Sequence, residues 1–365
     1  MARCQLCGIT SPGISKALGV CLICIRRRPH KALEFAIDFH RTSRTEFGLP
    51  PVPPDDPDGI LCNLCVNTCK IGENRTGYCG LRKNQDCRLT GASATKAKLS
   101  WYHDPLPTNC VADWVCAAGT GAGYPTYTHC PGAESGYKNL AVFFQACSFN
   151  CLFCQNWHFK NETFSSPIRT IEDLVRDVDP QTSCICYFGG DPSPQLPFSL
   201  KASRVARNRK KGEILRICWE TNGSMNPDLL DQMMELAVCS GGCVKFDLKA
   251  WDKNLHVALT GVDNQRTIDN FARAVAHISR RSQPPVLVAN TLLVTSYIDA
   301  EEVAAIARFI ASLDPNIPYC LLAFHPQFYL SDLPMTSRVL ADRCCRAARD
   351  AGLNNVRIGN VHLLR

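Results

Sequence analysis

The sequence predicts an α/β fold: a partial, open (βα)6 barrel preceded by cysteine-rich metal-binding segments. Three observations predict it. From about residue 139, six β-rich runs alternate with amphipathic helical stretches, a pattern of parallel strands joined by helical crossovers. Six such units are too few for a closed eight-unit barrel. Ahead of this region, 15 of the 23 cysteines fall within the first 154 residues, grouped in short spacings. A proline-rich stretch, LPPVPPDDPDG at 49–59, separates two of those groups.

Composition narrows the class. The chain has 365 residues, 45% apolar and 20% charged, an ordinary balance for a globular protein and enough length for a large core. Its formal charge of +7 is only mildly basic. No uninterrupted apolar run approaches the ~18–20 residues of a membrane span, and the first residues lack an apolar export core. We therefore expect a cytoplasmic protein in a reducing compartment. Cysteines there serve as metal ligands, catalysts or core residues rather than disulfides. An odd count of 23 also forbids complete pairing within the chain.

In chain order, residues 1–48 read as a zinc-ribbon-like module and a helix. Cys4-x2-Cys7 and Cys21-x2-Cys24 present two knuckles to one tetrahedral ion. Structural zinc is favoured over a rubredoxin-like iron. Residues 31–47 carry helical apolar spacing at Leu33, Phe35, Ala36 and Phe39. The basic run from Arg26 to Lys31 reads as a solvated face rather than a nucleic-acid contact. Residues 49–60 form a Pro-rich linker. Residues 61–138 form a cysteine-rich segment ahead of the barrel, turn-rich and irregular over 101–138. Cys62, Cys65, Cys69 and Cys79 suit either zinc or an auxiliary [4Fe-4S] cluster, which with four thiolates would be an electron relay or a staple. Cys110, Cys116 and Cys130, with Cys87 as a fourth, are read as free buried thiols or one more site. Residues 139–365 form the barrel, with strand runs at 139–144, 183–188, 213–220, 244–249, 285–295 and 319–324. Cys184, Cys186, Cys218, Cys239, Cys243, Cys320, Cys344 and Cys345 read as core packing, and His158 as a surface histidine.

The sharpest chemical signal is Cys147-x3-Cys151-x2-Cys154 in NLAVFFQACSFNCLFCQNW, just after the first barrel strand. Three thiolates can hold three irons of a [4Fe-4S] cluster and leave the fourth open to a ligand. This motif, at the end of a first strand and followed by βα units, resembles the radical S-adenosylmethionine superfamily over roughly residues 60–362. The fold is then a partial barrel of radical SAM type. Gly189-Gly190-Asp191-Pro192, Glu220-Thr221-Asn222-Gly223, Asp247-Leu248-Lys249 and Phe324-His325-Pro326 at later strand ends resemble the glycyl-radical-enzyme activases, typified by pyruvate formate-lyase activating enzyme. CNLCVNTCKIGENRTGYCGLR at 62–82 is similar to activating-enzyme-like proteins of archaea and bacteria.

That resemblance implies roles. Phe153 would lie against the adenine of S-adenosylmethionine. Gly189, Gly190 and Asp191 would receive its methionine amine, with Asp in place of the family's Glu. Asn222 and Lys249 would contact its carboxylate or ribose, and His325 its ribose or adenine. Glu220, Thr221 and Asp247 fall where the activases bind a monovalent cation. The implied function is reductive cleavage of S-adenosylmethionine to a 5′-deoxyadenosyl radical that abstracts hydrogen. The expected partners are an electron donor such as ferredoxin or flavodoxin and, in an activase, a protein substrate with a reactive glycine. Neither membrane nor nucleic acid is expected. Radical modification of a small molecule or another macromolecule is the enzymatic alternative. A non-catalytic zinc or iron–sulfur scaffold that binds nucleic acid is the alternative from another class.

Overall fold

The computed structural model describes residues 1–365. At its centre lies a nine-stranded sheet: Lys96–Pro105 (β1), Lys138–Phe144 (β2), Ile168–Thr170 (β3), Thr182–Gly189 (β4), Arg216–Thr221 (β5), Val244–Asp247 (β6), Leu287–Leu293 (β7), Tyr319–Ala323 (β8) and Val356–Gly359 (β9). Their spatial order is β9-β8-β7-β6-β5-β4-β2-β1-β3. Every pair from β2 to β9 in that order is parallel, whereas β1 runs antiparallel to both β2 and β3. The outermost strands do not pair with each other, so the barrel stays open.

The six expected runs correspond to β2 and β4–β8. The sheet extends beyond them at both sides. β9 is a four-residue strand, Val-Arg-Ile-Gly, too short and too polar to show a strand pattern. β1 opens with an alternation of lysine and apolar residues and continues through Trp101, Tyr102 and His103. Its alternation fits an antiparallel strand with one face against the core. The irregular stretch expected over 101–138 therefore begins inside a strand.

Alternation along the strands separates two environments. Leu140, Val142, Phe144, Ile185, Tyr187, Ile217 and Trp219 are fully buried in the main apolar core. The residues between them, including Cys184, Cys186, Cys218 and Glu220, line the barrel interior. The crossover helices start on side-chain caps: Asp252 accepts from the Leu255 amide, Asp299 from Glu302 and Ser337 from Leu340.

The N-terminal residues do not stand apart. A small hairpin pairs Ala2–Arg3 with Thr10–Ser11. Helices Leu22–Arg27 and Pro29–Thr45 follow, the second close to the expected span. Ile14, Leu18, Val20, Ile25, Ala32 and Ala36 belong to the same 71-residue buried cluster as the barrel. Arg26, expected in a solvated basic run, instead reaches Asp299, Glu301 and Glu302 at 3.0 Å each. It thereby ties the short helix to the start of the Ala300–Leu313 helix. No helix is long and apolar enough to cross a membrane.

Candidate active site

A cavity of about 320 Å³ opens at the C-terminal ends of the strands, the functional rim of a βα barrel. Cys147, Cys151 and Cys154 all line it. They sit on the loop after β2, and that loop is held by distant backbone. Asn150 and Leu152 donate their amides to the Thr260 and Leu259 carbonyls at 2.8 and 3.0 Å, and the Leu152 carbonyl accepts from the amides of Tyr329 and Leu330. Burial pushes all three thiols up, Cys151 to about 12. Bringing three such sulfurs together as thiolates requires metal charge to offset the lost hydration. Lys160 adds positive charge beside them. It is buried, burial pulls its ammonium down to about 8, and its Nζ donates to Asn150 Oδ1 at 2.6 Å.

The sequence-predicted ligand residues converge on the same cavity. Gly189, Gly190 and Asp191 end β4, and Asn222 follows β5. Asp247 and Lys249 lie at and just beyond the end of β6, and Phe153 belongs to the cysteine loop. Glycine is required at both positions of the pair. A Cβ on Gly189 would lie 2.7 Å from the Phe144 amide nitrogen, and one on Gly190 2.3 Å from the Ala146 carbonyl oxygen. The tight approach brings Asp191 up to the cysteine loop, with its amide donating to the Ala146 carbonyl.

Asp191 is 2% exposed. Burial raises its carboxyl to about 6, against hydrogen bonds from the hydroxyls of Thr221 and Ser193, both at 2.9 Å. None of the protein's cations pairs with it, which leaves a buried carboxylate suited to an ammonium group of a ligand. Asn222 donates to Ser148 Oγ at 2.8 Å and lies 3.8 Å from Cys147 Sγ. Lys249 pairs with Asp247 at 2.6 Å and lies 5.6 Å from the centre of the Phe153 ring. Burial would lower its pKa, but Asp247 and the nearby thiols reverse the shift and hold the ammonium above its ordinary range.

Two placements differ from expectation. His325 is not on the cavity wall; its Nδ1 lies 3.4 Å from Gln327 Nε2. Glu220, Thr221 and Asp247 line one cavity, but each already has a partner within the protein. Glu220 pairs with Lys245 at 3.1 Å, Thr221 donates to Asp191 and Asp247 pairs with Lys249. The two carboxylates expected to serve a monovalent cation are each paired with a lysine ammonium.

The other cysteines divide by environment. The sulfurs of Cys4, Cys7, Cys21 and Cys24 all lie within 4.8 Å of one another, as one tetrahedral ion demands. Cys4 is drawn down to about 6; burial opposes this, and hydrogen bonds from backbone amides, led by that of Cys7, outweigh it. Cys62, Cys65, Cys69 and Cys79 line a separate small cavity. Cys87 is exposed at a hairpin turn, and Cys130 donates to the Gly132 and Ala133 carbonyls, so neither joins a site with Cys110 and Cys116.

The strands reveal what spacing could not. Cys110, Cys116, Cys184, Cys186, Cys218 and Cys243 share one cavity of about 140 Å³ in the barrel interior. Buried Lys245 lies 3.3 Å from Cys110 Sγ and 3.2 Å from Cys186 Sγ. Cys110 also lines the larger cavity, so the two adjoin. Cys184, Cys186 and Cys243 are buried as expected, but Cys239 is exposed, with Arg207 2.8 Å from its sulfur. His158 is exposed, as expected. Asn290 and Asn360 also line the larger cavity. Their only sequence signal is a polar residue within or after a strand.

Comparison with known proteins agrees with this arrangement. Residues 141–310 match the family model described as the Radical SAM superfamily. An uncharacterized protein of Methanocaldococcus jannaschii is 24% identical over 326 residues, 84% of this chain and 83% of that one. Pyruvate formate-lyase-activating enzyme of Staphylococcus aureus is 25% identical over 198 residues, 50% of this chain and 73% of that protein. The structure of Streptococcus suis SuiB bound to S-adenosylmethionine aligns with a TM-score of 0.44 at 15% identity, over 60% of this chain and 49% of that one. Over residues 141–310 the barrel is similar to the Radical SAM superfamily. Within it the chain resembles the pyruvate formate-lyase-activating enzymes, with a zinc-ribbon-like cysteine cluster added at its N-terminus.

Proposed function

We propose that the protein reductively cleaves S-adenosylmethionine and passes the resulting radical to a protein substrate. One observation carries this reading: Cys147, Cys151 and Cys154 open into the same cavity as the Gly189-Gly190-Asp191 strand end, Asn222 and Lys249. Cys147, Cys151 and Cys154 would hold a [4Fe-4S] cluster, which would supply the one-electron reduction that cleaves S-adenosylmethionine to a 5′-deoxyadenosyl radical. The chain's own residues bind and orient. Asp191 receives the methionine ammonium. Lys249 and Asn222 face the carboxylate or ribose, and Phe153 packs on the adenine. Cys4, Cys7, Cys21 and Cys24 hold zinc and brace the barrel from outside. The electron donor is of the ferredoxin or flavodoxin class.

The substrate reading, a glycine on a partner enzyme, rests on the likeness to the Staphylococcus aureus activating enzyme. It is supported by a barrel that stays open along one side. The test is anaerobic. Reduced protein with S-adenosylmethionine should release 5′-deoxyadenosine, and the Cys147→Ala/Cys151→Ala/Cys154→Ala variant should release none. Release at the parental rate by that variant overturns the assignment. Added to host extract, the reduced protein should produce a glycyl radical signal in electron paramagnetic resonance. Turnover of a small metabolite without a protein radical replaces the activase reading with small-molecule chemistry.

A further inference from the structure

We propose that Arg44 and Lys160, two buried cations that no carboxylate of the chain neutralises, raise the reduction potential of the cluster held by Cys147, Cys151 and Cys154. The proposal rests on the cluster assigned under the proposed function and adds which side chains make it reducible. Both act through charge, without ligating iron.

The two side chains are enclosed. Arg44 is 1% exposed and Lys160 2%. Their hydrogen bonds go to neutral acceptors. The Arg44 guanidinium donates to the Pro50 and Tyr78 carbonyls and lies 3.3 Å from the centre of the Tyr78 ring. Lys160 Nζ donates to Asn150 Oδ1 at 2.6 Å, and the ring centres of Phe47, Phe159 and Phe328 stand 5.6, 5.4 and 5.9 Å from it. Neither cation forms an ion pair with Asp or Glu. Lys249, on the same cavity wall as Lys160, differs: Asp247 at 2.6 Å offsets its charge. Lys160 and Arg44 therefore bring net positive charge to the cysteine loop, and Lys249 does not.

Burying a cation without an anion is strongly unfavourable, because neutral dipoles and ring faces replace only part of the lost hydration. Here the two cations also repel each other, which helps to lower Lys160. The acidic groups that act most on Lys160 are the thiols of Cys154, Cys147 and Cys151. Cys147 also acts on Arg44, alongside Tyr78, Cys79 and Cys69. The surroundings thus suit an anion at the cysteine loop. Three thiolates outweigh the doubly positive core of an oxidised [4Fe-4S] cluster, so the whole carries one negative charge. It gains a second when a donor passes it one electron. No bond forms or breaks in that step; the donor is oxidised by one electron as the cluster is reduced. Fixed positive charge in a low-dielectric surrounding favours the more negative state and so raises the potential.

The test uses the reconstituted full-length protein, anaerobic and at neutral pH, where Lys160, held at about 8, is charged. A redox titration without S-adenosylmethionine is followed by electron paramagnetic resonance. The signal read is the one missing from the Cys147→Ala/Cys151→Ala/Cys154→Ala variant. Lys160→Met, similar in length and uncharged, should cut the ratio of reduced to oxidised cluster at a fixed potential at least tenfold, a fall of about 59 mV for one electron. Lys160→Arg should restore the parental value, and Arg44→Met should lower the potential in the same direction. Iron content should match the parent's in all three. An unchanged potential in Lys160→Met, or an equal fall in Lys160→Arg, overturns the proposal. If Lys160→Met loses its iron, Arg44→Met decides by the same tenfold criterion. Loss of iron from both would mean that the cations only hold the loop together, and overturns the proposal as well. A parent without the signal refutes this proposal and the proposed function together. A parent that shows these shifts yet cleaves no S-adenosylmethionine sinks the proposed function and leaves this inference standing.

Discussion

Asp191 shows how one side chain can be over-determined by its surroundings. Two hydroxyls and the Asn222 amide point at its oxygens, yet its carboxyl is raised to about 6 because burial outweighs them. A ligand ammonium removes that conflict. Asp191→Asn keeps the shape and removes the charge. Losing a hydrogen bond to a charged group costs about 1.5–3 kcal/mol. We expect S-adenosylmethionine affinity to fall by about ten- to a hundredfold in isothermal titration, with the iron content unchanged. Unchanged affinity would mean that backbone groups hold the amine. The carboxylate was legible in the sequence because it follows two glycines at a strand end. Its network with Ser193 and Thr221 was only partly so, since Thr221 arrives from the next strand.

Among the elements, the Pro29–Thr45 helix has more influence than its place in the sequence suggests. His40 Nε2 lies 3.1 Å from the Ala258 carbonyl, and Asn150 Nδ2 reaches both His40 Nδ1 and Ser43 Oγ at 2.9 Å. The helix thus braces the loop that carries Cys151. An apolar stripe predicts that a helix forms. It does not reveal which polar groups on its buried side will meet a loop more than a hundred residues away. Burial drives His40 and His256 down to about 4. An unfolded histidine titrates near pH 6.5, so the folded state binds fewer protons between that value and about 4. Stability is therefore fully present above pH 6.5 and is lost as pH falls through that window. Each histidine contributes up to about 3 kcal/mol. Denaturant unfolding from pH 7.5 to 4.5 should show the decline, and His40→Gln should remove His40's part of it. An equally steep curve in that variant would contradict the role of His40.

At the scale of the molecule, the N-terminal cysteine set and the barrel share one core. Removing the zinc proposed for that set should therefore loosen more than residues 1–28. Hydrogen exchange after chelation should speed up at 150–154 and 257–260 as well. Change confined to the first 28 residues would show that the extension is merely appended. The three cysteine motifs were readable because each is local, with ligands a few residues apart. The thiol-lined interior was not, because Cys110, Cys186 and Cys218 meet only once separate strands are in register. Strand β9 escaped notice for a related reason: its four residues acquire strand character from pairing with β8. Arg44 is enclosed by the fold, and nothing in its local sequence marks it.

The cysteine loop takes its backbone partners from Leu259, Thr260, Tyr329 and Leu330, far downstream of Cys154. A ribosome adding about 5–20 residues per second makes Cys147, Cys151 and Cys154 at least several seconds before their supporting carbonyls and amides exist. During that interval the three thiols are exposed and lack their final geometry. The four N-terminal ligands are complete once residue 24 has emerged. On the proposed reading, metal loading then has an order written into the chain: zinc would be captured during synthesis, whereas iron and sulfide would be delivered after the polypeptide is nearly finished. On that reading, an iron–sulfur supply that lags behind translation would leave the nascent protein zinc-loaded, cluster-free and open to oxidation at the loop of Cys147, Cys151 and Cys154.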